Sequence, residues 1–382
     1  MYASRMSNLP PYLFARIDEM KAEQRKLGAD LIDLGVGDPD LATPAHIVDA
    51  LCTAAKDAKN HHYPDYAGLP AYRSAVAGWY KKRFGVTLDP AKETLALMGS
   101  KDGIAHIAEA FVNPGDYVLA PSPGYPVYRT GTLFAEGKVH EMPLRRENNF
   151  VPVLADIPKK VSKKAKILYI NYPNHPTAAV APDGFYKEVV DFARENDIIV
   201  VSDNAYSEIA YDGYRAPSFL ETPGAMEVGI EMHSLSKTYN MTGWRIGMAV
   251  GNAEIIAGLG RVKTNVDSGV FDAVQYAAIT ALSGPQDCVK DACKIYQERR
   301  DVLVKGLRGL GFDVPLPKAT FYVWVPVRDC MAFAGRLLTE AGIVATPGVG
   351  FGSSGEGYVR FAITRPVARI QEAIERMRRM SL

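Results

Sequence analysis

The stretch "SLSKTYNMTGWRIG", residues 234–247, decides how this chain is read. Apolar runs flank it at 228–232 and 246–250, each with the length of a buried strand. Between them stand one lysine, Lys237, hydroxyls before it at Ser234 and Ser236, and an arginine, Arg245, eight residues on. A plain surface connection has no use for that set of groups, so the loop between the two strands is a candidate site.

Outward from this stretch the same pattern repeats. Further strand-like runs occupy 94–98, 117–120, 167–170 and 198–202. Helical stretches at 102–111 and 182–195 lie between them, the second with an apolar stripe of Phe185, Val189, Val190 and Ala193. Strand and helix in alternation predict an α/β fold, with a mostly parallel central sheet flanked by helices and ligands at the carboxyl ends of its strands. The first forty residues read as a helix over 11–27, an extended piece over 31–34 and a break at "GVGDP", 35–39. Past about residue 285 the pattern changes to a long charged helix, 286–310, strands at 321–325 and 358–362, and a terminal helix. The expected division is a large domain over 41–284 and a smaller α+β domain made of 1–40 and 285–382.

Composition narrows the possible partners. Hydrophobic residues make up 47% of the 382, charged residues 23%, and the net charge is +1. That near-neutral balance argues against nucleic-acid or anionic-membrane partners, which usually show as clustered Lys and Arg. The one basic run, 159–166, reads as a solvated turn. No apolar stretch approaches the roughly 18 residues of a membrane span, and the N-terminus lacks the apolar core of a signal peptide. Cys52, Cys288, Cys293 and Cys330 have no metal-ligand spacing, His61 and His62 are adjacent, and no metal site is expected. A cytoplasmic protein is the expectation.

Polar residues collect at the predicted strand ends. Asp203 and Tyr206 follow one strand, Asn171, Asn174, His175 and Thr177 another, and Ser100 and Lys101 stand where a strand turns into a helix. Singly, each is an ordinary cap or surface group. Together they match the needs of pyridoxal phosphate: a lysine for its aldehyde, a carboxylate for its ring nitrogen, donors for its phenolic oxygen, and a cup of hydroxyls, arginine and helix N-terminus for its phosphate.

With "VSDNAYSEI" and "YPNHPTA" upstream, the opening stretch resembles the fold-type I aminotransferases of class I/II, over nearly the whole length. Within them, "LPPYLFARID", "LGVGDPD", "YPDYAGLPAYR" and "MGSKDGIAH" are most similar to the LL-diaminopimelate aminotransferases. The resemblance implies that Lys237 is the Schiff-base lysine and proton carrier, that Asp203 pairs with the ring nitrogen, and that Tyr206 donates to the phenolic oxygen. It implies a phosphate cup of Ser100, Lys101, Ser234, Ser236 and Arg245, and Tyr125 on the ring face. Arg360 would clamp the substrate carboxylate beside the backbone of Gly37, and Tyr63 would reach the phosphate of a neighbouring subunit, making a homodimer with composite sites.

One departure stands out. Where the family reads Asn-Pro-Thr-Gly, this chain has His175-Pro176-Thr177-Ala178. Either His175 takes the asparagine's place toward cofactor and substrate, with a ring that titrates near neutrality, or Asn174 assumes part of the role. The implied reaction moves an amino group from an amino acid, LL-diaminopimelate first, to 2-oxoglutarate. Aspartate or broad amino-donor use is the alternative, then a C–S lyase on the same scaffold. Tyr12 and Lys101 are candidates for the far end of the substrate through resemblance alone. The glycine cluster 348–352 lacks the dinucleotide fingerprint and reads as a flexible loop.

Overall fold

The computed structural model describes residues 2–9 and 13–380. Its strands are β1 (Ile32–Asp33), β2 (Thr94–Leu97), β3 (Tyr117–Ser122), β4 (Lys138–Pro143), β5 (Ala165–Ile170), β6 (Ile199–Asp203), β7 (Gly229–Ser234) and β8 (Gly247–Gly251). After the long helix Asp287–Gly309 come β9 (Tyr322–Pro326), β10 (Ile343–Val344), β11 (Thr346–Pro347) and β12 (Tyr358–Ala362).

β2 to β8 form one seven-stranded sheet in the order β2-β8-β7-β6-β5-β3-β4. Only β8 runs against its neighbours. Runs such as Ile167-Leu168-Tyr169-Ile170 are buried throughout because helices cover both faces. One face packs Ile104, Ile107 and Ala108 of helix Ser100–Phe111 against Val118, Ile167 and Val201. The other packs Val189, Val190 and Ala193 of helix Phe185–Asn196 against Leu168 and Val200.

The parallel strands bring Ser122, Ile170, Asp203 and Ser234 to one edge. Because β8 is reversed, the residues before it, Arg245 included, return to that same edge. The stretch 234–247 is therefore the connection between two antiparallel neighbours: a turn of helix at Leu235–Thr238, a 3-10 turn at Thr242–Trp244, and Arg245 at φ 55°.

β11, β12 and β9 form a separate antiparallel sheet, and β1 pairs with β10 in parallel. Leu34, Leu303, Leu307, Phe321, Phe361 and Ile370 make the core of this second layer. Chain from before residue 35 thus packs with chain from beyond residue 300.

Some expectations need correction. β4 was not anticipated, because its sequence KVHEMP mixes charge with apolar residues at the sheet's edge. The helix expected from 182 starts at Phe185, since Gly184 takes φ 86°. The basic run 159–166 is no simple turn: Lys159–Ser162 is a helical turn and Lys166 lies within β5. The cluster 348–352 is no flexible loop either, but a 3-10 turn, Gly348–Phe351, whose Phe351 is buried.

Candidate active site

Asp203 ends β6 at the carboxyl edge, 6% exposed. Its Oδ2 accepts a hydrogen bond from Tyr128 Oη at 2.8 Å, while Oδ1 is buried with no partner. Burial pushes the carboxyl up to about 6, the Tyr128 hydroxyl and Ala205 N–H only partly opposing it. Tyr128 is itself stacked on Tyr169, with ring centroids 4.7 Å apart. Asn171 bridges the neighbouring turns, its Nδ2 donating to Asp203 O and its Oδ1 accepting from His175 N.

Lys237 rises from the helical turn after β7, and its Nζ donates to Gly37 O at 3.1 Å. Among the described residues no carboxylate forms an ion pair with it. Burial lowers its ammonium to about 8; Asp38 opposes the shift, and Arg360 and Arg245 add to it. An amine that is about one-tenth neutral at pH 7 and half neutral near pH 8 can act as nucleophile and base.

Arg360, on β12, is 3% exposed. Its Nη1 lies 2.5 Å from His175 Nε2, its Nη2 donates to Gly35 O, and its Nε has no partner. The guanidinium sits between the rings of Tyr322 and Phe351, 4.4 and 4.8 Å from their centroids. A buried arginine without a carboxylate is costly in an isolated protein and is well placed for one brought by a ligand. Gly37 must be glycine here, because a Cβ would lie 2.0 Å from the Tyr322 hydroxyl oxygen.

A third corner gathers around the start of helix Ser100–Phe111. Arg245 Nη2 donates to Met98 O and Nη1 to Thr242 O and, at 3.4 Å, to Ser236 Oγ. A Cβ on Gly99 would meet Arg245 Nη2 at 2.3 Å, so only glycine lets the guanidinium lie over the helix start. Ser234 accepts from Ser236 N, which orders the turn. Arginine, hydroxyls and a helix N-terminus make an anion-binding corner.

The edge thus brings together Asp203, Tyr206, His175, Lys237, Gly37 and Arg360, with Ser100, Ser234, Ser236 and Arg245 at the adjacent corner. Tyr206 Oη lies 3.0 Å from Tyr322 Oη, and Tyr125 packs edge-on against His175. His175, not Asn174, contacts Arg360; Asn174 instead accepts from Thr177 N and Oγ1. The expected titration of His175 near neutrality is corrected: burial, then the charges of Arg360 and Lys237, drive its pKa well below the usual value. Lys101 is exposed on the helix, Tyr63 is 89% exposed, and Tyr12 lies outside the described residues. Tyr128, Tyr322 and Phe351 were not foreseen. Tyr128 stands three residues after Tyr125, one helical turn on, and that spacing was the available signal.

Residues 29–377 match the family described as "Aminotransferase class I and II". The chain belongs to the class I and II aminotransferases. An LL-diaminopimelate aminotransferase of Syntrophobacter fumaroxidans is 57% identical over 99% of this chain and 98% of its own length. One from Desulforudis audaxviator is also 57% identical, over 98% and 97%. Among solved structures, apo-BacF from Bacillus subtilis has a TM-score of 0.96 at 38% identity, covering all of this chain and 98% of that one. This aminotransferase therefore carries its family's fold and transaminase activity, acting on amino and oxo acids.

Proposed function

We propose that this aminotransferase carries the amino group of LL-diaminopimelate to 2-oxoglutarate, using pyridoxal 5′-phosphate. The substrate assignment rests on the LL-diaminopimelate aminotransferases that are 57% identical to this chain over nearly its full length. The chemistry rests chiefly on one observation, a buried Asp203 oxygen with no partner at the same sheet edge that carries a buried lysine. That orphan acceptor fits a protonated ring nitrogen, and the Gly99–Arg245 contact leaves an anion cradle for the phosphate. When bound, the cofactor supplies an aldehyde carbon and an electron-withdrawing ring that stabilises charge at the substrate Cα.

The chain's own groups do the rest. Lys237 would be the amine that holds the cofactor through its aldehyde carbon and, when free, would be the base that accepts the proton leaving the substrate Cα. Asp203 would keep the ring nitrogen protonated, Tyr206 and His175 would hold the phenolic oxygen, and Tyr125 would hold the ring. Ser100, the Lys101 backbone, Ser234, Ser236 and Arg245 hold the phosphate. Arg360 and the Gly37 backbone fix the substrate carboxylate, which sets the direction of the breaking C–H bond. Tyr12 and Lys101 are the candidates for the distant amino-acid head.

Residues 41–284 act as the cofactor-binding domain and 1–40 with 285–382 as the smaller one carrying Arg360. β1 pairing with β10 supports that division. The assembly is a homodimer. Tyr63, Tyr66, Val266, Phe271 and Tyr276 are exposed apolar side chains, and Gly269 abuts the Pro64 ring and the Asp65 carbonyl, so these two segments lie side by side. No helix among the described residues is long and apolar enough to cross a membrane, in keeping with a cytoplasmic setting.

The deciding experiment compares LL-diaminopimelate, aspartate and aromatic amino acids as donors to 2-oxoglutarate. The first should give the highest kcat/KM, and Lys237→Ala should abolish turnover. Strong activity with aspartate and none with LL-diaminopimelate would reverse the substrate assignment.

A further inference from the structure

We propose that Lys21 and Asp33 are positioning residues for the carboxylate clamp, acting through the short loop that follows β1. Lys21 lies on helix Leu13–Lys26 and is 7% exposed. Its Nζ is 2.8 Å from Asp33 Oδ2 and 2.9 Å from Asp18 Oδ1. Neither Lys21 nor Asp33 hydrogen-bonds Arg360, Lys237 or Asp203; the Asp33 charge acts on the Arg360 guanidinium only through space, and what its carboxylate holds is backbone.

The other Asp33 oxygen, Oδ1, accepts from Gly35 N at 3.0 Å and Val36 N at 3.3 Å. One carboxylate thereby ties down the N–H side of the turn. The carbonyl side of the same turn holds the site. Gly35 O accepts from Arg360 Nη2 and from Thr346 Oγ1, the latter at 2.8 Å, and Gly37 O accepts from Lys237 Nζ. Val36 O accepts from Thr364 Oγ1 at 3.0 Å. Three residues of backbone therefore link the arginine and the lysine of the site, with Asp33 as their anchor.

The loop has little room to absorb an error. A Cβ at Gly35 would sit 3.0 Å from Val344 Cγ1, and one at Gly37 would collide with Tyr322. Tyr322 in turn packs on Arg360 and meets Tyr206. A shift of the turn therefore passes directly to the guanidinium and to the aromatic wall beside it. Lys21 keeps the Asp33 carboxylate in place. Without that cation a mostly buried carboxylate turns toward water and lets go of Gly35 N–H. A loosened turn weakens the grip of the guanidinium on the carboxylate, a loss that shows in Kd and KM before it shows in kcat.

The inference rests on Arg360 being the partner of the substrate carboxylate, and the test separates the two. The holoenzyme is titrated with glutarate, a dicarboxylate with neither amine nor keto group, and KM and kcat are measured with 2-oxoglutarate. Lys21→Met should raise the glutarate Kd and the KM by about tenfold while kcat changes less than about threefold. Lys21→Arg, which restores the cation, should stay within about twofold of wild type. Asp33→Asn keeps an acceptor oxygen but loses the charge, and should raise Kd about three- to tenfold.

Arg300→Met is the control for a purely structural role. It severs a buried cation from Asp212 and Asp301 and touches no site residue. Its melting temperature should fall while its glutarate Kd stays unchanged. If Arg360→Met binds glutarate as wild type does, the reading of Arg360 fails. If Arg360→Met loses binding while Asp33→Asn and any foldable Lys21→Met keep the wild-type Kd, the positioning role is overturned.

Discussion

His175 Nε2 lies 2.5 Å from Arg360 Nη1, inside a box formed by the rings of Tyr125, Tyr206, Tyr322 and Phe351. A guanidinium only donates, so the imidazole nitrogen is the acceptor and the ring proton belongs on Nδ1. That arrangement keeps His175 neutral, and burial reinforces it. The unfolded chain protonates this histidine below about 6.5 while the folded protein does not, so acid favours unfolding. His175→Asn should therefore lose part of the fall in melting temperature between pH 7.5 and 5. It should also leave the neutral region of the pH–rate profile without a lost inflection, with kcat/KM within about tenfold of wild type. Disappearance of an inflection near pH 6.5 in the variant would show that the ring titrates after all.

Asp203 shows the opposite sign. Its carboxyl is raised from 3.8 to about 6 by burial, so the folded protein binds this proton more tightly than the unfolded chain. The stabilisation is full below 3.8 and lost as pH rises through 6, which leaves the cofactor-free protein short by up to about 3 kcal/mol at pH 7. Asp203→Asn should raise the melting temperature of the cofactor-free protein at pH 7, with the gain vanishing near pH 4. The same change should lower kcat by at least about a hundredfold, since an amide cannot balance a ring cation. Thermal scans of both proteins stripped of cofactor, across pH 4 to 8, check the stability half.

Asp203, Lys237 and Arg245 were legible because each stands just past or before a largely apolar run of strand length, and the parallel strands together with the reversed β8 send those ends to one edge. β4 was not, because an edge strand covered on one side can carry Lys138 and Glu141 without cost. Arg360's partners were also hidden. Gly35, His175 and Phe351 are 325, 185 and 9 residues away from it, and only the packing of the two layers brings them together. The pairing of Tyr322 with Tyr206 has the same cause. A strand in sequence shows which residues alternate, not which ring lies across from it.

Lys237 provides a pH reading that does not need turnover. Burial lowers its ammonium to about 8 from 10.5, and only the neutral amine attacks an aldehyde. The rate of cofactor capture by the stripped protein, followed by absorbance, should rise with pH and reach half its plateau near 8. A half-point above 10 would place the lysine in open water. The same shift makes the stripped protein gain stability as pH rises from 8 toward 10.5, because the unfolded chain holds that proton longer.

Tyr63 carries the last prediction, on which the composite site depends. Tyr63 is 89% exposed, and Tyr66 and Phe271 are exposed as well. If Tyr63 completes the phosphate corner of the neighbouring subunit, Tyr63→Ala should raise the cofactor concentration for half activity by about tenfold. Mixing then distinguishes neighbour from self. Lys237→Ala protein, which is inactive, and Tyr63→Ala protein, which keeps about a tenth of its activity at limiting cofactor, are unfolded and refolded together. A hybrid dimer then holds one site with Lys237 from one chain and Tyr63 from the other, both intact. Random pairing makes half the dimers hybrid, so about a quarter of the wild-type sites should reappear. Were Tyr63 to serve its own subunit, every hybrid site would carry one of the two lesions, and mixing would restore nothing.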